Sequence, residues 1–91
     1  MDKLLSVVEE VFEITVRGCI LIPGIPLDTP HVVKIRAPIR LLRPDGSTVE
    51  TYVAGIEMIS ATPPRPGPIP ILLPPELRKS DIPVGTQVFL T

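Results

Sequence analysis

Aromatic side chains are the scarcest class in this 91-residue chain. Phe12, Tyr52 and Phe89 are the only three, and there is no tryptophan. Core volume must therefore come from Ile, Leu and Val. No set of rings is present on which successive bases could stack. Cysteine and histidine occur once each. Cys19 is the single cysteine, which excludes an internal disulfide, and with one histidine no Cys/His metal set can be assembled. No metal and no cofactor are expected. Cys19 lies in an apolar run and reads as a small core residue rather than a nucleophile. His31 has no nucleophile or orienting acid near it in sequence and reads as a surface side chain.

Other absences narrow the function further. No Gly-x-x-x-x-Gly-Lys-Ser/Thr phosphate loop occurs, so no nucleotide is expected to bind. No apolar run reaches the roughly 18 residues of a membrane span, and Met1-Asp-Lys-Leu-Leu5 lacks the apolar stretch of a signal peptide. A cytoplasmic protein without a membrane partner is the expectation. The net charge is −1, too little to attract polyanions in bulk. Paired carboxylates for acid–base work need two acids in different environments within a cleft. The acids here read as surface-strand residues, so an enzyme is not expected.

What the chain has in excess is proline. Thirteen of 91 residues are proline, against a usual share of about 5 %. Each fixes one dihedral and removes a backbone donor, which excludes long helices after Gly18. The composition is 44 % hydrophobic and 21 % charged, which is globular rather than disordered. A chain this short is expected to be one domain, residues 1–91, with little room for a buried multi-residue site.

The pattern of apolar residues reads as all-β. Residues 2–12 suit a helix or a strand, since both periods fit; strand from about Leu5 is preferred. Phe12, Ile14 and Val16 alternate with Glu13 and Thr15. Arg17-Gly18 turns the chain, Cys19–Ile22 returns, and Pro23-Gly24 ends the strand. A loop is expected over Ile25–His31. Val33 and Ile35 then alternate with Lys34 and Arg36 as a strand, Ala37-Pro38 interrupts, and Ile39–Arg43 resumes. Pro44-Asp45-Gly46 is a turn with a mechanism, proline pre-setting one dihedral and glycine taking a left-handed one. Ser47–Ile59 is the longest strand candidate, bent at Gly55, and Thr62–Gly67 is a proline-rich connection. Thr86–Thr91 closes the chain. The expected core includes Val11 or Phe12, Ile14, Ile20, Ile35, Ile39, Val53, Ile71 and Val88.

The segment Pro68–Pro75 is unusual. Pro66, Pro68, Pro70 and Pro74 are all even-numbered, so in a strand they remove donors from one edge only. The amides of Ile69, Ile71 and Leu73 remain free to pair on the other side, with those three side chains facing the core. The expectation is a blocked edge strand. Leu72, Pro74, Pro75 and Leu77 would form an exposed apolar partner surface beside it.

Three stretches carry a resemblance. They are Val8-Glu-Glu-Val-Phe-Glu-Ile-Thr-Val-Arg-Gly18, Gly55-Ile-Glu-Met58, and Leu72-Leu-Pro-Pro-Glu-Leu-Arg-Lys-Ser-Asp-Ile-Pro-Val-Gly85. Their order and approximate spacing resemble the second, β-barrel domain of translational GTPases such as elongation factor Tu. The resemblance implies a small closed or nearly closed Greek-key-like β-barrel of six or seven strands, standing alone without the GTPase domain. In that family the domain helps hold the aminoacylated end of transfer RNA. The matching positions here would be Glu9, Glu10, Phe12 and Glu57. The departures weigh against that role. Arg36-Ala37-Pro38 replaces the family's Val-Gly-Asp turn, and Ser60-Ala61 replaces its basic pair.

The expected function is a non-enzymatic interaction module. Its expected partner is a protein, either another copy or a larger subunit. The alternative is an RNA- or ribosome-associated module in which Lys34, Arg36 and Arg40 form an anion-binding stripe, joined by the transfer-RNA positions.

Overall fold

The computed structural model describes residues 2–26, 32–56 and 68–91. It is all-β, and the described residues form eight strands: β1 (Lys3–Val7), β2 (Glu10–Ile14), β3 (Gly18–Ile25), β4 (Pro38–Leu42), β5 (Thr48–Tyr52), β6 (Gly55–Ile56), β7 (Ile69–Leu72) and β8 (Gln87–Leu90). A single 3-10 turn, Lys79–Asp81, lies between β7 and β8. The strands form two four-stranded antiparallel sheets. The first has the order β1-β8-β4-β5 and the second β2-β3-β7-β6. No helix among the described residues is long and apolar enough to cross a membrane.

Each sheet is built from period-two alternation. In the second sheet Val11, Leu21, Ile71 and Ile56 are successive cross-strand partners and point inward. Val11, Leu21 and Ile71 are buried. In the first sheet Ile39 and Leu41 of β4 face inward beside Val88 of β8, all three at 1 % exposure or less. Leu5, Val8, Cys19, Ile25, Val53, Leu73 and Ile82 complete the core. Lys3–Val7 and Glu10–Ile14 are strands rather than helix, because tertiary pairing with β8 and β3 decides a pattern that local periodicity leaves open.

At two of the four places where the chain changes sheet, one strand runs almost directly into the next. At Val8-Glu9 the amide of Val8 donates to Thr86 O at 2.8 Å, beside β8, while that of Glu9 donates to Ile22 O at 2.8 Å, on β3. At Val53-Ala54 the amide of Val53 donates to Ala37 O at 3.0 Å and that of Ala54 to Leu72 O at 2.9 Å. Two glycines let β7 approach β3. A Cβ on Gly18 (φ +120°) would collide with the carbonyl of Leu73, and one on Gly24 (φ +86°) with that of Ile69. Only glycine fits both the dihedral and the space.

Several expectations are corrected. β3 runs through Pro23-Gly24 to Ile25, because Ile25 still pairs with Ile69. No strand forms over Val33–Arg36; Lys34–Ala37 is a turn closed by Ala37 N–H to Lys34 O at 2.9 Å. Ile35 sits at its tip and is 58 % exposed, so it is not core. Phe12 is half exposed and its neighbour Val11 is the core residue. Ile14 and Ile20 are only partly buried, because both face outward. β7 is not an edge: it pairs with β3 on one side and β6 on the other. The proline argument holds for the β3 side, where Leu73 N–H donates to Cys19 O at 2.8 Å. On the far side Leu72, the even position that is not proline, meets Gly55. Residues 57–67, with the remainder of the long strand and the proline-rich connection, lie outside the described residues.

Candidate interaction surfaces

The outer face of the second sheet is apolar. Phe12, Ile20, Leu72 and Gly55 are partners across β2, β3, β7 and β6. Cross-strand partners share a face, and this row alternates with the buried row, so it points outward. Phe12 is 50 % exposed; Ile20 and Leu72 are half-buried. The glycine has a local consequence. A Cβ on Gly55 would lie 3.3 Å from Leu72 Cδ2, so the leucine side chain reaches across the gap the glycine leaves. The next outward rows add Ile22 opposite Glu10 and Ile14 opposite Gly18. Glu10 is the one charged side chain these rows contribute.

The outer face of the first sheet differs. Its central row is Leu4, Phe89, Arg40 and Glu50. The Arg40 guanidinium donates to a Glu50 carboxylate oxygen at 3.0 Å and to Asp2 Oδ2. Both carboxylates hold the Arg40 pKa above its ordinary value, the Glu50 bond most of all. No family model, no curated protein and no solved structure matches this chain.

The residues singled out in the sequence are scattered by this geometry. Lys34 and Arg36 stay together on the Lys34–Ala37 turn, while Arg40 is held on β4 by its two carboxylates. Glu9 and Glu10 are exposed at the start of β2, and Phe12 joins the apolar row. Glu57 and His31 lie outside the described residues. The expected Leu72–Leu77 patch is corrected. Pro74 is fully buried, and Leu77 is half-buried against the core, because Gly18 lets the chain after β7 fold tightly onto β3. Pro75 is exposed as expected, and Leu72 remains on the surface, in one row with Ile20 and Phe12 instead. The signal missed in the sequence was register: Phe12 and Leu72 are 60 positions apart and meet only through Ile20.

A second feature lies at the end of the β2–β3 hairpin. Glu13, Ile14, Val16, Pro75, Leu77 and Arg78 line an open depression of about 430 Å³. Arg78 Nε donates to Glu13 Oε2 at 2.7 Å, which holds the Glu13 carboxyl below the ordinary carboxylate range. Cys19 lies beneath, its thiol donating to Leu77 O at 3.4 Å, and burial pushes its pKa up. That is the protonated, unreactive state of a packed thiol. Among the described residues no three His, Cys, Asp or Glu side chains gather as a metal site.

Proposed function

We propose that this chain is a non-enzymatic protein-interaction module that associates through the outer face of its second sheet. The row Phe12–Ile20–Leu72 carries this reading. It is a continuous apolar strip on a regular sheet, and such strips mark interaction sites. The partner the face suits is a second copy of the chain. An isologous contact brings each residue near its own counterpart, which repels charged groups and favours apolar ones. Among the described residues this face has one carboxylate, Glu10, whereas the first sheet's outer face is laced with charge.

The same reading takes the two sheets as one closed, Greek-key-like barrel of six strands, similar to the second domain of translation factors. Support comes from the two direct crossings, where the segments 3–14 and 48–56 each pair with both sheets. Counted as single strands, they close the order 1–8–4–5/6–7–3–2 on itself. The motif order from Val8 to Gly85 supports the likeness. It does not carry transfer-RNA binding here, since Phe12 stands in the apolar row.

Sedimentation equilibrium over a wide concentration range tests the function. The wild-type chain is expected to dimerise reversibly, and Phe12→Glu to be monomeric at every concentration with a nearly unchanged melting temperature. A wild-type chain that stays monomeric throughout defeats the self-association reading.

A further inference from the structure

We propose that the Lys34–Ala37 turn is a second, independent binding site, and that its ligand is an acidic peptide segment carrying an apolar side chain. The turn is a rigid platform. Ala37 N–H closes it on Lys34 O, Arg36 N–H donates to Val53 O at 2.6 Å, and Val53 N–H returns a bond to Ala37 O. Val53 itself is fully buried, so the base of the turn is fixed in the core.

Its side chains are placed for recognition. Lys34 and Arg36 are exposed, and neither side chain makes an ion pair or hydrogen bond among the described residues. Between them stands Ile35, 58 % exposed. Arg36 has φ +77° at the third turn position, where glycine is the unstrained choice. An arginine held in the left-handed region is a cost to folding, and such strain gathers where a side chain is needed. Beside the turn lies an open depression of about 660 Å³, lined by Ile35, Arg36, Tyr52 and Ala54. Tyr52 is the one aromatic residue there and is 42 % exposed.

Two cations flanking an apolar tip call for a complementary ligand with carboxylates flanking an apolar side chain. The Arg36 fork takes one carboxylate in two parallel bonds, Lys34 takes another, and the apolar side chain settles against Ile35 and Tyr52. RNA fits less well. Arg40, the next cation along the chain, is occupied by Asp2 and Glu50, so the positive charge does not continue as a track for a phosphate backbone. One tyrosine is no stacking platform for successive bases.

The test is fluorescence anisotropy on the full chain with a labelled Glu-Leu-Glu-Leu-Glu peptide. Two control peptides, Gln-Leu-Gln-Leu-Gln and Glu-Ser-Glu-Ser-Glu, remove the charges and the apolar side chains in turn, and polyuridylate stands for RNA. Saturable binding is expected for the first peptide, with weaker binding for both controls and for polyuridylate. The deciding variant is Arg36→Gly, which relieves the backbone. It is expected to melt at or above the wild-type temperature while its affinity falls at least about tenfold, the loss of one charge-assisted contact. Lys34→Glu is expected to weaken binding further. Phe12→Glu is expected to leave it unchanged, which separates this site from the sheet face. Wild-type affinity in Arg36→Gly, stronger binding of polyuridylate, or no saturation by Glu-Leu-Glu-Leu-Glu overturns the proposal.

Discussion

The two outer faces of this protein obey the same strand geometry and have opposite chemistry. The central row of the first sheet carries Arg40 between Asp2 and Glu50; that of the second carries Phe12, Ile20 and Leu72. Both rows lie opposite the same core. The ion pairs are exposed, and exposed pairs contribute little to stability. Their effect is to keep that face in water. Among the described residues the second face has no such device beyond Glu10 at its margin. In a chain of three aromatic residues, placing Phe12 half in solvent is a poor use of core volume unless something covers it.

Four substitutions probe that contrast, beginning with what both faces share. Ile71→Ala removes a fully buried side chain beneath the apolar row, and it is expected to cost about 2–5 kcal/mol in chemical denaturation. A small loss would mean that the interior is not the common support of the two sheets. Gly18→Ala is next. It is expected to destabilise by more than about 1 kcal/mol, because the methyl group meets the Leu73 carbonyl and the dihedral is left-handed. The apolar face should be the one disturbed, seen as amide shift changes concentrated on β3 and β7.

Arg40→Gln is the counterpart of Phe12→Glu. It breaks both ion pairs on the first sheet, and it is expected to lower the melting temperature slightly and to leave association intact. The drop should shrink as salt is raised. Loss of association in Arg40→Gln would erase the distinction between the faces.

The smallest effect concerns protons. Arg78 holds the Glu13 carboxyl below its ordinary range. A depressed folded-state pKa gives stability that is present above the unfolded pKa and lost as pH falls through the folded one. Arg78→Ala should therefore return Glu13 to the ordinary carboxylate range in an NMR titration and remove that share of the acid sensitivity. An unmoved Glu13 midpoint would show that Arg78 is not its cause.

Much of the fold could be read from local pattern. Proline content excluded long helices, Pro44-Asp45-Gly46 marked a true turn closed by Gly46 N–H to Arg43 O at 2.9 Å, and alternation found Ile39, Ile71 and Val88. Errors arose where tertiary pairing decides. Val33–Arg36 alternates like a strand, but Arg36 donates its amide to Val53 across the chain and the segment turns instead. The even-numbered prolines pointed to a blocked edge, but Leu72 breaks their series and β6 pairs there, so β7 has a neighbour on both sides. The surface was harder still to read. Its apolar row joins residues from four strands, and only Phe12 and Ile20 fall within one hairpin. Lys34 and Arg36 were visible together; that Arg40 was already taken by Asp2 was not.

The central claim is that the face of Phe12, Ile20 and Leu72 meets its own copy. The most direct measurement is an isotope-filtered nuclear Overhauser experiment on an equal mixture of methyl-labelled and unlabelled chains. The account predicts intermolecular contacts from the Ile20 and Leu72 methyl groups to the Phe12 ring. Contacts from Leu4 or Phe89 of the first sheet in their place, or no intermolecular contact at millimolar concentration, would contradict it.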